Sequence, residues 1–298
     1  ATLIGGDGID ALTGSDDPET FNVTTPGAGT LVRAGSNPTT VNFTTMENLN
    51  GQGGADVFDI DALLAGSIDG GADDDTFNID ADVNGNVLGG LGDDDFEVAL
   101  NAPAVIGGNL DGGAGTNSLM LDVLQGSITG TVSNVNADLV VTGTAADDVI
   151  TVGLNATGTL TFTRVTGGTT VTRPVFVPGA NVNLSVTVDA LAGNDTLIVD
   201  YTNGVFSSDI TYTAGAVGVG ADESNLLQLI GAAAGPTVGS YSPGVLDPGS
   251  ASFGTGVVAA TENTITVTGL SDDFAATAVE IRDFSTVSLV APGSADVV

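Results

Sequence analysis

The sequence predicts an all-β chain wound as a right-handed parallel β-solenoid (a β-roll or β-helix), with narrow coils N-terminally and wider coils C-terminally. Three observations predict it. Short alternating apolar runs follow Gly/Asp-rich turns, an apolar–acid–apolar template recurs at fixed spacing, and the acids are concentrated in the turns of that template.

The strands come first. Ala, Leu and Glu never combine into a sustained 3.6-residue pattern, whereas Gly (44 residues), Thr, Val and Asp dominate. Val57-Phe58-Asp59-Ile60, Thr76-Phe77-Asn78-Ile79 and Thr196-Leu197-Ile198-Val199 alternate with period two behind such turns, which is the strand signature. Aligning the turns gives the template: an apolar residue, an Asp or Asn seven positions on, and another apolar residue two later. It fits Leu3/Asp10/Leu12, Leu49/Asp56/Phe58, Ile68/Asp75/Phe77, Val87/Asp94/Phe96 and Leu110/Asn117/Leu119. Further along it fits Val140/Asp147/Val149, Val188/Asp195/Leu197 and Leu289/Asp296/Val298. Leu49, Ile68 and Val87 are 19 residues apart, with Phe58, Phe77 and Phe96 in step, and Leu110 follows after 23.

A repeat this short cannot bury its own apolar face, so copies must stack. Stacked strands lie about 4.8 Å apart, which places Phe58, Phe77 and Phe96 over one another as an internal ladder. An antiparallel sandwich would instead call for tight Asn-Gly hairpins between paired strands.

Beyond residue 125 the template thins. Its Asp/Asn positions are then separated by 30, 48 and 101 residues, while strand-like runs continue at Leu160–Val165, Val182–Val188, Ile210–Thr213 and Thr264–Val267. The expectation is a calcium-binding, roll-like solenoid over 1–125 and a wider, less regular solenoid over 126–298, its coils gaining a third side. Ala232–Gly256, rich in Gly, Pro, Ser and Ala, reads as a long loop or an irregular coil.

Composition narrows the function. Four arginines and no lysine face 37 acids, and the net charge of −33 argues against a partner that is a nucleic acid or an anionic membrane. No apolar run is long enough to insert in a membrane. With 42% apolar residues the chain is not a disordered acidic tail. Of the acids 31 are Asp and only six Glu, and Asp predominates where a short carboxylate must sit in a turn or hold an oxygen-loving cation. Cys, His and Trp are absent, so a Cys/His zinc site, thiol catalysis and histidine acid–base chemistry are excluded.

Two turns, GGDGIDALT at Gly5–Thr13 and GGLGDDDFE at Gly89–Glu97, match the pattern G-G-x-G-x-D-x-apolar-x throughout. Near matches are Gly51–Asp59, Gly70–Asn78 and Gly112–Met120, and weaker ones Thr142–Ile150 and Ala190–Ile198. The pattern resembles the RTX, or haemolysin-type, calcium-binding nonapeptide repeat. The resemblance is good over residues 3–120 and patchy beyond. It implies Ca2+ held by the motif's Asp and by turn carbonyls shared between successive coils. Carried over by position, the ligands are Asp10, Asp56, Asp75 and Asp94, with Asp147 and Asp195 from the weaker copies and Asn117 as a weaker ligand in the fifth. The neighbouring turn acids Asp7, Asp73 and Asp93 complete the candidate metal set. The family runs its nonapeptides in tandem, two per coil. Here a tandem partner is recognisable only at Gly14–Asn22, where Glu19 takes the Asp place, so a single calcium row on one edge is expected.

These readings point to an extracellular or cell-surface, secreted structural protein such as an adhesin, fibre, sheath or surface-layer component, and not to an enzyme. A β-helical lyase or glycosidase would need paired carboxylates in a cleft or a basic residue beside calcium. An ice-binding solenoid would need Thr-x-Thr pairs repeated at the coil spacing, which Thr161/Thr163, Thr211/Thr213 and Thr264/Thr266 do not show. Both ends of the sequence fall inside the repeat without a visible cap. That suggests calcium-dependent self-association end to end, or continuation of a longer solenoid.

Overall fold

In the computed structural model, residues 2–34, 38–204, 206, 208–213 and 225–230 are described in full. The strands Val238–Ser242, Gly256–Ala260, Thr264–Thr268, Ala278–Arg282 and Thr286–Leu289 are described by their backbone. Among the described residues the chain is all-β, without a helix, and its long sheets are mostly parallel, an arrangement compatible with a β-solenoid. The chain divides into two units: Ala1–Leu139 with Phe176–Leu184, and Val140–Val175 with Ser185–Val298.

The first unit is built on the 19-residue template. One parallel set of strands carries Leu12, Leu49, Ile68, Val87, Leu110, Val132 and Pro178 in register. A second parallel set aligns Phe21, Phe58, Phe77, Phe96 and Leu119. Because alternate residues face opposite ways, the apolar member of each pair turns inward, and all of these aromatic rings are fully buried. Phe21, Phe58, Phe77 and Phe96 stack with ring centroids 4.7, 5.0 and 4.5 Å apart, close to the spacing of neighbouring strands. The expected ladder is therefore present, and it begins one ring earlier, at Phe21.

A short third side was not foreseen for these coils. Leu64 bridges to Val83 and Val83 to Ile106, and Ile106 pairs with Ile128, all four buried. A third, short set of parallel pairings thus accompanies the two sheets within the 19-residue repeat.

Between Phe21 and Leu49 an insertion interrupts the repeat. Glu19–Thr25, Ala28–Arg33 and Thr39–Thr44 form an antiparallel meander, and Thr2–Ile4 adds to its outer strand in parallel. The first turn is a tight one at Pro26-Gly27, where Gly27 has a φ of 62°.

In the second unit, Asp148–Leu154, Thr196–Asp200, Leu226–Ile230 and Ala278–Arg282 run parallel, with Ile150, Leu197, Leu227 and Val279 in register. The hairpin Leu160–Thr166/Thr169–Pro174 packs antiparallel on Asp148–Leu154 through a turn at Gly167-Gly168, both at positive φ. The backbone register also aligns Thr187, Thr211 and Thr266, a threonine column that the irregular sequence spacing conceals. The stretch Ala232–Gly256, expected to be a long loop or an irregular coil, contains the strand Val238–Ser242. Of the template copy at Leu289/Asp296/Val298, only Leu289 belongs to a described strand, and Asp296 and Val298 lie outside the described residues.

Candidate metal centre

Asp56, Asp75 and Asp94 open three successive strands of the first unit and are each 1% exposed. One oxygen of each is fixed by the backbone one coil earlier. The N–H of Glu19 donates to Asp56 Oδ1 (2.7 Å), that of Asp56 to Asp75 Oδ1 (2.8 Å), and that of Asp75 to Asp94 Oδ1 (3.0 Å). The N–H of Asp94 then donates to Asn117 Oδ1 at 2.8 Å. Acid and strand register thus specify each other, coil by coil.

The other oxygen, Oδ2, is buried in all three and accepts no hydrogen bond. Its surroundings follow from the first glycine of each turn. A Cβ at Gly51 would lie 2.2 Å from Asp56 Oδ2 and 2.3 Å from the Gly70 carbonyl oxygen of the next coil. At Gly70 the same two neighbours are Asp75 Oδ2 (2.3 Å) and the Gly89 carbonyl (2.7 Å), and at Gly89 they are Asp94 Oδ2 (2.2 Å) and the Gly112 carbonyl (2.6 Å). The glycine is required because a carboxylate and a main-chain carbonyl together fill the space a side chain would take. Two acceptor oxygens flank that space, and the carboxylate one accepts no hydrogen bond.

The electrostatics agree. Burial, the largest cause, pushes the carboxyls of Asp56 and Asp75 up to about 7, against the lowering effect of the backbone N–H each accepts. Nearby acids, Glu19 and Asp73 for the first and Asp56, Asp94 and Asp73 for the second, raise them further. Burial likewise raises Asp94, with Asp74 and Asp93 adding to it. An anion held this way calls for an electropositive partner.

Both ends of the column are satisfied internally. At the lower end the buried Glu19 accepts from the Ser15 N–H and hydroxyl and pairs with Arg33 Nε at 2.9 Å. At the upper end Asn117 puts an amide where the acids have Oδ2, and its Nδ2 donates to the Asn134 carbonyl at 3.0 Å. Asn134, at φ 57°, turns the corner of that coil alone, so no acidic turn lies above Asn117. A recess of about 300 Å³ opens there, lined by Gly113, Thr116, Asn117, Asn134 and Asn181 among others.

The remaining expected ligands fall elsewhere. Asp73 and Asp93 are exposed, outside the column, and accept the N–H of Gly54 and of Thr116. The turn of Asp7 and Asp10 lies out of phase with the others. It precedes the strand of Leu12, which pairs with Leu49, whereas the turns of Asp56, Asp75 and Asp94 precede the phenylalanine strands. Asp10 therefore stands apart from the column, its N–H bound to Glu47 Oε2 at 2.8 Å and its own Oδ2 buried without a hydrogen bond. Asp7 is exposed.

In the copy at Val140/Asp147/Val149 the register is displaced by one residue. Asp148 and Ile150 are buried while Asp147 and Val149 are exposed, because the alternation of the strand puts Ile150 in step with Leu197. Asp148 donates its N–H to Asp195 Oδ1, and Asp195 donates to Asn225 Oδ1, both at 2.8 Å. Asp147 takes the outer place and accepts the N–H of Asn194. Asn225 was missed because Gly218, seven residues before it, breaks the template, although Asn225-Leu226-Leu227 repeats the pattern of Asn117-Ser118-Leu119.

The donor set contains only hard oxygens, and three buried carboxylate oxygens of the first column lack a partner, so the residues fit calcium. Asp56, Asp75 and Asp94 would hold it, and it would supply the positive charge that lets their carboxylates stay ionised while buried. Among the described residues no group of three or more Asp, Glu, His or Cys converges, so most of the coordination shell would come from main-chain carbonyls and water. No protein-family model matches the chain, and no curated protein matches it.

Proposed function

We propose that the chain is an extracellular, calcium-dependent structural β-solenoid of a surface adhesin, fibre, sheath or surface layer. It winds right-handed, with narrow coils N-terminally and wider ones C-terminally, and it associates end to end or continues a longer solenoid. The observation that carries the reading is the column Asp56–Asp75–Asp94, whose buried oxygens each face a carbonyl of the next coil. A cation in each gap would join two coils and remove the repulsion that stacking imposes on the acids. The resemblance of these turns to RTX repeats supports calcium as that cation. A net charge of −33 with no His, Lys or Cys supports a structural role over a catalytic one. Extracellular calcium, at about millimolar, saturates sites whose dissociation constant is on the order of 10⁻⁴ M.

The test is thermal unfolding of the full chain by circular dichroism, in chelator and in millimolar calcium. Calcium should raise the midpoint and the chelator should lower it reversibly, as expected of a ligand bound only by the folded state. Identical curves under both conditions would rule the proposal out.

A further inference from the structure

We infer that the cation row of the first unit is a counted one. It takes one cation at each of Asp56, Asp75 and Asp94, and Glu19 and Asn117 end it by supplying their own electropositive partners. The inference rests on the calcium reading above and adds the rule that decides where sites stop.

At Asp56, Asp75 and Asp94 the inner oxygen and the carbonyl of the next coil are both acceptors, so neither can satisfy the other, and the inner oxygen has no donor. At Asn117 the geometry is the same and the chemistry is not. A Cβ at Gly112 would meet the Asn134 carbonyl at 2.4 Å and Asn117 Nδ2 at 2.6 Å, the same pair of neighbours with an N–H₂ in place of Oδ2. That amide donates to the carbonyl and removes the reason for an ion. At the lower end Glu19 keeps its charge, but Arg33 and Ser15 answer it. The exposed acids Asp73 and Asp93 lie outside the rule, because water solvates them. Asn117 thus belongs to the same series as the acids and is its neutral terminator.

The rule makes opposite forecasts for chemically small changes. Calcium bound per full chain is counted by titration calorimetry and native mass spectrometry with calcium chloride. Asp75→Asn and Asp94→Asn should each bind one ion fewer than the parent, Asn117→Asp one more, and Asp93→Asn the same number. In chelator Asp75→Asn should unfold at a higher temperature than the parent, because its amide then donates to the Gly89 carbonyl as Asn117 donates to that of Asn134. If Asn117→Asp does not fold, the losses at Asp75 and Asp94 against the unchanged count at Asp93 still decide the matter. An unchanged count in folded Asn117→Asp, or equal losses for Asp93→Asn and Asp94→Asn, would overturn the counting rule while leaving calcium binding intact. A parent chain that binds no calcium would overturn the calcium reading itself.

Discussion

Asp75 is held from both sides, by a backbone N–H that favours its charge and by burial that opposes it, and burial wins. Without calcium, the carboxyls of Asp56 and Asp75 titrate at about 7 in the folded chain, against an ordinary 3.8. The folded state therefore binds their protons more tightly than the unfolded chain does. Their contribution to stability is complete below the ordinary value and is lost as pH rises through about 7. In chelator the unfolding midpoint should accordingly fall between about pH 5 and about pH 8, and saturating calcium should flatten that fall, since the ion takes the place of the proton. A midpoint in chelator that rises over this range would contradict the assignment of Asp56 and Asp75 as uncompensated. Which residues do this was partly legible in the sequence. Asp56, Asp75 and Asp94 follow from spacing alone, but in the doublet Asp147-Asp148 the template matched the wrong member, because Val149 and Ile150 are equally apolar and only strand pairing decides between them.

At the scale of the strand, the inner face of the first unit is a set of columns, and the phenylalanine column is the bulkiest of them. Phe77 is fully buried and stacks on a ring on each side at 5.0 and 4.5 Å. Phe77→Ala would open a cavity in the middle of the stack and should cost about 3–5 kcal/mol, read as a shift of the denaturant midpoint. A loss below about 1 kcal/mol, the scale of an exposed site, would mean that the ladder is not the core. The stack was legible because its members keep a 19-residue spacing, whereas Phe21 lies 37 residues before Phe58, beyond an inserted meander. The phase of the first turn was not legible either. Its nonapeptide is complete, yet only the pairing of Leu12 with Leu49 places Asp10 apart from the acid column.

For the whole molecule, the all-β class and the parallel stacking were readable from composition and period, because each repeat is too small to bury its own apolar face. The third set of contacts in the 19-residue repeat was not, since Leu64, Val83 and Ile106 sit in runs too short to show the alternation that announces a strand. Among the described residues the strand Thr2–Ile4 pairs with Thr39–Thr44, and Ile4 is 70% exposed. The proposed association is tested directly by light scattering, which should show mass growing with protein concentration in calcium and a smaller species in chelator. A monomer under both conditions would remove association from the proposed function. The backbone-to-acid ladder also has a mechanical side. Every bond in it joins residues of adjacent coils, 19 positions apart at Asp56–Asp75 and Asp75–Asp94. Tension along the chain would load these coils one after another, as a zip is loaded, and would not shear them all together. Each coil that peeled away would release roughly 65 Å of slack. Such a segment would lengthen in steps under load, a behaviour in keeping with the structural role proposed above.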